Sequence, residues 1–296
     1  HPNSPAKMMA MGENATPPND AVQQLAELER AIAPHEHIMT AYSGGIDSTL
    51  VAAVARRVLG KTRAPAVIGD SPSLPRSELA AAIELAEHLD LELHVVKPDE
   101  QGDAGYIANA GDRCYFCKTH LYDTMHRAAA DLGVRFIANG TNTDDPGDHR
   151  PGLVAAEEAQ VISPLLDAGL NKRAVRAVAE LLKLPNADKP AAACLASRIP
   201  YGTEVTPQRL GEVERAEDAL RALGFTGFRV RHHGQVARIE FPEEQMQQIL
   251  DPSVRHEVVL AVEAAGFLYV AVDLAGFRSG SGNIALTVGG SQPSTR

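Results

Sequence analysis

The sequence predicts an α/β fold: a parallel sheet with helices on both faces, followed by a smaller C-terminal α+β domain. Three observations carry that prediction. Apolar runs alternate with helix-periodic stretches through the first two-thirds of the chain, as they do where helices cross between parallel strands. One apolar run breaks off in Ser43-Gly44-Gly45-Ile46-Asp47-Ser48, and a helical pattern (Leu50, Val51, Val54, Val58, Leu59) begins at once. Past Tyr201 the alternation gives way to a helix, a hairpin and a last strand.

In chain order, strand-like pieces fall at 38–42, 65–68, 91–96 and 135–139, and helical stretches at 48–59, 75–89, 115–132 and 172–182. Pro75 suits a first helical turn, with Ser73 a plausible N-cap. Gly60 and Gly133 stand where helices stop. In such sheets ligands bind beyond the carboxyl ends of the strands. The 43–48 string, Gly69-Asp70-Ser71 and Asn139-Gly140-Thr141 all belong to that edge. Beyond it, a helix at 207–223 precedes strands at 228–231 and 236–241 joined at Gly234, then two helical stretches and a strand at 267–274. The expected organisation is a leader at 1–19, domains at 20–200 and 201–283, and a loose Gly- and Ser-rich tail at 284–296.

A strand that turns through two glycines into a helix presents free backbone N–H groups and the positive end of a dipole, which together bind phosphate. Gly44 and Gly45 allow close approach, Ser43 and Ser48 add hydroxyls, and Asp47 could orient magnesium or a ribose. Asp70 and Gly140, at the same sheet edge, are further candidates for the nucleotide. No Gly-Lys-Ser/Thr follows the glycines, so this is not the Walker pattern. It resembles the PP-loop of the ATP pyrophosphatases, which adenylylate a substrate and release pyrophosphate.

Composition narrows the field. Of 296 residues 44% are hydrophobic, enough for full cores, while 4% aromatics without Trp argue against a base-stacking surface. A net charge of −10 argues against nucleic-acid or membrane partners. No apolar run approaches the ~20 residues of a membrane span, and the polar start has no signal-peptide core. Three cysteines fit a reducing, cytoplasmic compartment.

Those cysteines are Cys114 and Cys117, a C-x-x-C, and the distant Cys194. At the start of a helix Cys114 and Cys117 share a face, and the dipole favours their thiolates. Four readings stand: a redox disulfide, out of place because it should directly follow a first strand; a structural zinc with His120 as fourth ligand; an iron–sulfur cluster with one iron open; and inert buried thiols. Sulfur delivery to an adenylylated carbon favours the open cluster over closed zinc.

Elsewhere, Arg229 and Arg231 fall on one face of a strand, with Arg238 and Glu240 alternating on its partner. By pattern alone this is a solvated hairpin face. Arg198, four residues after Cys194, could neutralise a carboxylate or the leaving AMP, and a surface role is as good a reading. His232 and His233, at the hairpin turn, read as solvated. Asp144, Asp145 and Asp148 could hold magnesium or simply build a turn.

Several strings together resemble the LarE family of ATP-dependent sulfur transferases: the 43–48 loop, Gly140-Thr141-Asn142 with Asp144-Asp145, and Arg150-Pro151-Gly152-Leu153. Lys189-Pro190, Cys194, the run Ser197-Arg198-Ile199-Pro200-Tyr201-Gly202, Val230-Arg231-His232-His233 and Phe277-Arg278-Ser279-Gly280 complete them, so that the resemblance spans about residues 20–283. It implies an adenine nucleotide alpha hydrolase-like fold, with ATP and Mg2+ as cofactors. The implied reaction is adenylylation of a carboxylate of pyridinium-3,5-biscarboxylic acid mononucleotide and its conversion to a thiocarboxylate, in nickel-pincer nucleotide biosynthesis. The implied partners are that small-molecule nucleotide and a sulfide or other sulfur donor, in a homo-oligomer. Cys194 aligns with the cysteine that better-known members sacrifice. The additional Cys114 and Cys117 make this chain similar instead to cluster-bearing PP-loop thiolases, which implies a 4Fe-4S cluster on Cys114, Cys117 and Cys194, all three catalytic. The resemblance also assigns Arg229 and Arg231 to the substrate phosphate, with Glu240 as orienter, and Arg198 stands as a further substrate-binding candidate. The rivals are a tRNA thiolase of the same class, which should be basic, an amide-forming synthetase of the NAD or GMP type, which gives three cysteines no role, and a non-catalytic ATP-sensing module.

Overall fold

The computed structural model describes residues 18–145, 151–190 and 193–278. The proposed leader to residue 17, Asp148, Arg150, Ser279-Gly280 and the tail lie outside them. The first sheet has four parallel strands, β1 (Ile38–Ala41), β2 (Ala66–Gly69), β3 (Leu93–Val96) and β4 (Phe136–Ala138), in the order β3-β2-β1-β4. These are the expected strands, each within about two residues of its expected ends. Successive β1 side chains point to opposite faces, and both faces are covered. Ile38 packs with α1 (Pro18–Ile32), α2 (Ile46–Leu59) and, further on, the helix Lys172–Leu181. Met39 meets Tyr122 and Met125 of the helix Arg113–Asp131 on the other side.

Sequence reasoning missed α1. Its signal is present, since Ala21, Leu25, Leu28 and Ile32 recur at helical spacing and are buried. The remaining helices are α3 (Arg76–His88), α4 (Ala104–Ala108), α5 (Arg113–Asp131), α6 (Pro151–Glu158), α7 (Pro164–Asp167) and α8 (Lys172–Leu181). One expectation about α3 fails. Ser73 does not cap it; the N-cap is Pro75, which brings no side-chain bond, and the Ser73 hydroxyl is turned inward to the Tyr106 hydroxyl.

The second sheet has strands β5 (Arg229–His233), β6 (Val236–Glu240) and β7 (Tyr269–Val272). Gly234, at φ +65°, turns the antiparallel β5–β6 hairpin, and β7 pairs parallel to β6. Helices α9 (Pro207–Ala222), α10 (Glu243–Met246) and α11 (Pro252–Ala264) accompany the sheet. Their apolar core, with Phe225, Phe241 and Phe267, also takes in Tyr106, Leu195 and Ile199 from earlier in the chain. The turn that follows Cys194 is therefore built into the core of the second sheet. Among the described residues no helix is long and apolar enough to cross a membrane.

Candidate active site

The 43–48 loop leaves β1 and enters α2 as its motif requires. Gly44 adopts φ +71°, and a Cβ there would stand 2.7 Å from the Cβ of Ala82, so both conformation and space demand glycine. Gly45 is the N-cap of α2 and offers no side-chain bond, which leaves the first-turn N–H groups to an external acceptor. The two serines shape the turn: Ser48 Oγ lies 3.0 Å from Ser43 Oγ and accepts from Ser43 N at 3.1 Å. Gly140, at the end of β4, presses on the same turn, where a Cβ would come within 2.7 Å of Ser48 N.

Asp47 has two partners in this structure. Its Oδ2 pairs with Lys172 Nζ, and its Oδ1 accepts from Asn142 Nδ2 at 3.3 Å. Asp70 is paired with Arg76 at the start of α3. Asp144 and Asp145 do turn chemistry here, accepting from the backbone N–H groups of Lys172 and Asn142 at 2.9 Å each.

A cavity of about 390 Å³ opens over this edge. Its walls are the loop (Ser43, Gly45, Asp47, Ser48), the strand ends (Gly69, Ser71, Asn139, Gly140), α5 (Cys117, Lys118, Tyr122) and Cys194. The 43–48 loop and two of the three thiols thus share one chamber. Cys114 and Cys117 lie in the first turns of α5, as expected, and Cys194 caps a short 3-10 turn, Leu195–Arg198. Cys114 and Cys194 are exposed, whereas burial, reinforced by the charge of Cys194, pushes the Cys117 thiol up to about 12. Lys118 lines the cavity beside them; desolvation lowers its ammonium pKa, but Tyr122 and the three cysteines outweigh that and raise it. Fully buried Glu100 completes this wall, accepting from the Ser71 hydroxyl.

Could these thiols hold a metal? Among the described residues no three His, Cys, Asp or Glu side chains converge on one ion, so the single-zinc reading finds no geometry to support it. His120 is instead 2.9 Å from Asp103. A cubane makes a different demand, because each thiolate takes its own iron and the donors need not meet at a point. Cys117 and Cys194 on one cavity, Cys114 one helical turn from Cys117, and a Cys117 thiol that is costly to ionise without a cation all fit that group.

The arginines form a second cluster, against the Cys194 turn rather than in the cavity. Arg198, 5% exposed, makes a two-pronged pair with Glu217, 2% exposed, at 2.9 and 3.1 Å. It also donates to the carbonyls of Ala193 (2.6 Å) and Cys194 (3.0 Å). In place of the expected contact with a ligand, Arg198 here secures the backbone that carries Cys194. Arg231 bridges Ser197 O at 3.0 Å and Glu240 at 2.9 Å, while Arg238 takes the other Glu240 oxygen at 3.0 Å. Arg229 stacks over Phe277 at 4.9 Å. Burial, then the charges of Arg198 and Arg231, hold its guanidinium below the usual arginine range. His232 is not solvated: it is 3% exposed and 2.9 Å from Glu212. Lys118, Lys172 and Glu217 are the participants that sequence reasoning did not name.

Comparison with known proteins points the same way. The NAD synthase family pattern matches residues 23–104. A protein of Synechocystis sp. without an assigned role is 44% identical over 265 residues, 90% of this chain and 96% of its own. The pyridinium-3,5-bisthiocarboxylic acid mononucleotide synthase of Lactiplantibacillus plantarum is 38% identical over 262 residues, 88% of this chain and 94% of its own. A further protein without an assigned role, from Methanocaldococcus jannaschii, is 29% identical over 83% of this chain.

Proposed function

Because the chain belongs to the LarE family of PP-loop enzymes, we propose that it is an ATP-dependent sulfurtransferase acting on pyridinium-3,5-biscarboxylic acid mononucleotide. The observation that carries this reading is the shared chamber, in which the 43–48 loop and the thiols of Cys117 and Cys194 face the same volume. Adenylylation and sulfur transfer can then occur on one carboxyl group without its leaving the site.

In the first step an oxygen of the substrate carboxylate attacks the α-phosphorus of ATP. The bond from that phosphorus to the bridging oxygen breaks, and pyrophosphate leaves with the electron pair. The first-turn N–H groups of α2 and the hydroxyls of Ser43 and Ser48 cradle it, and Lys172 adds a positive charge beside Asp47. Asp47 is the loop carboxylate suited to the magnesium that accompanies ATP. In the second step a sulfur nucleophile forms a bond to the acyl carbon, the carbon–oxygen bond to AMP breaks, and AMP departs as the anion. A four-iron, four-sulfur cluster on Cys114, Cys117 and Cys194, when bound, supplies an iron without a protein ligand on which sulfide can exchange. Lys118 offsets the negative charge that gathers among these thiolates. Arg229 and Arg231 are assigned to the substrate phosphate, since packed guanidiniums call for an anion, and Glu240 holds Arg231 in register. Arg198 acts as a positioning residue for Cys194.

The test is anaerobic purification followed by iron, sulfide and zinc analysis, then turnover with ATP, sulfide and the biscarboxylate nucleotide. About four irons per chain, pyrophosphate release and a thiocarboxylate product by mass spectrometry are expected. Thiocarboxylate formed once per chain, with conversion of Cys194 to dehydroalanine, would replace the cluster route by sacrifice. Absence of pyrophosphate release would refute the enzyme assignment.

A further inference from the structure

A peptide between two glycines turns over cheaply, because neither neighbour has a Cβ to resist rotation of the plane. The Gly44–Gly45 peptide is of this kind, and it sits at the uncapped end of α2. In a trans peptide the C=O and N–H point opposite ways. One orientation offers the chamber an N–H, and the other offers an oxygen that repels phosphate. Something must choose between them.

The hydroxyls of the loop hold this peptide only weakly. Ser43 Oγ accepts from Gly45 N at a long 3.4 Å, and otherwise Ser43 and Ser48 bond to each other, to Ser43 N and to Gly45 O. The Gly44 carbonyl is taken by Asn186 Nδ2, at 3.1 Å, from 142 residues further along the chain. The same nitrogen donates to Thr49 Oγ1 at 3.0 Å, in the first turn of α2. Since the Gly44 oxygen can only accept, the Asn186 nitrogen and not its oxygen must face it. Asn186 is 7% exposed, and its Oδ1 has no partner among the described residues. A buried acceptor left unsatisfied is a cost that an apolar residue would avoid, so packing alone does not account for asparagine here. Gly44 itself faces Ala82, whereas Gly45 lines the chamber.

We propose that Asn186 is a positioning residue for pyrophosphate, pinning the Gly44 carbonyl away from the chamber so that the Gly45 side of the peptide meets the anion. This rests on the reading of the loop as a pyrophosphate cradle. The test is calorimetric titration of the full chain with magnesium pyrophosphate and, separately, with AMP. Asn186→Asp keeps the shape but sets an oxygen against the Gly44 oxygen, and Asn186→Ala removes the donor, with folding of both variants checked by thermal unfolding. Pyrophosphate affinity should fall by about tenfold in the alanine variant and further in the aspartate one, roughly the worth of one lost hydrogen bond. AMP affinity should stay within about twofold, because the loop holds the leaving group and not the nucleoside. Unchanged pyrophosphate binding in both variants, or parallel loss of pyrophosphate and AMP, would overturn the brace while leaving the proposed function intact. A wild-type protein that binds no pyrophosphate would overturn both.

Discussion

On the proposed function, the molecule prepares for anions in two places and by opposite means. At the 43–48 loop the apparatus is backbone: two glycines, two hydroxyls and an uncapped helix end, with Asp47 already matched by Lys172. Beside the Cys194 turn it is side chain, with Arg198, Arg229, Arg231 and Arg238 interleaved with Glu217, Glu240 and Asp273. The difference teaches where tolerance lies. A backbone cradle fails through shape, whereas a buried charge cluster fails through loss of one partner.

The largest effect should come from the charge cluster. Glu217 accepts both prongs of Arg198 and also the N–H of Val230 at 3.1 Å, so Glu217→Ala strands a buried guanidinium and a backbone donor together. A loss of about 3 kcal/mol of folding stability is expected, within the range for breaking a buried pair. Urea unfolding at constant slope measures it. A loss below about 1 kcal/mol would place the pair among the surface kind.

At the loop, Gly44→Ala forces a Cβ to 2.7 Å from Ala82 in a left-handed conformation. The displaced turn should lower kcat/KM for ATP by about 100-fold, the scale of a misplacement of about an ångström, with a smaller change in Tm. A variant that loses stability but not ATP turnover would break the contrast between the two regions. Between them stands Arg231→Lys. Lysine keeps the charge but cannot span Ser197 O and Glu240 at once. KM for the mononucleotide should rise about tenfold, as for loss of one charge-assisted bond, with KM for ATP unchanged.

The same contrast governs what the sequence made legible. Gly44, Gly45 and Gly140 were readable because a cradle needs glycine at fixed local spacing, and the structure gives each a steric or capping role. The strands were readable from their apolar runs. The partners of the cradle were not, because they arrive from afar: Lys172 lies 125 residues from Asp47, and Asn186 lies 142 from Gly44. The arginine pattern was visible, but its sense was not. Arg198 reads from sequence as a cavity group or a surface one, and only Glu217, 19 residues on, turns it toward the backbone of Cys194. Likewise His232 reads as solvated until Glu212 is placed beside it.

The smallest effect separates the thiols themselves. In metal-free protein the Cys117 thiol is held up to about 12, chiefly by burial, from an ordinary value of 9.0. Above about pH 9 the unfolded chain sheds this proton while the folded chain keeps it, so folding stability should decline from pH 9 toward pH 12. Cys117→Ser should remove that part of the slope. At pH 8 iodoacetamide should modify exposed Cys114 and Cys194 before Cys117, since the thiolate is the nucleophile. Equal rates at the three positions would mean that α5 opens freely in the absence of metal. A strict order would mean that Cys117 keeps its proton and its packing in the folded chain. On the proposed cluster assignment, Cys117 would be the ligand that couples metal binding to the packing of α5 against the second sheet, where it already touches the core.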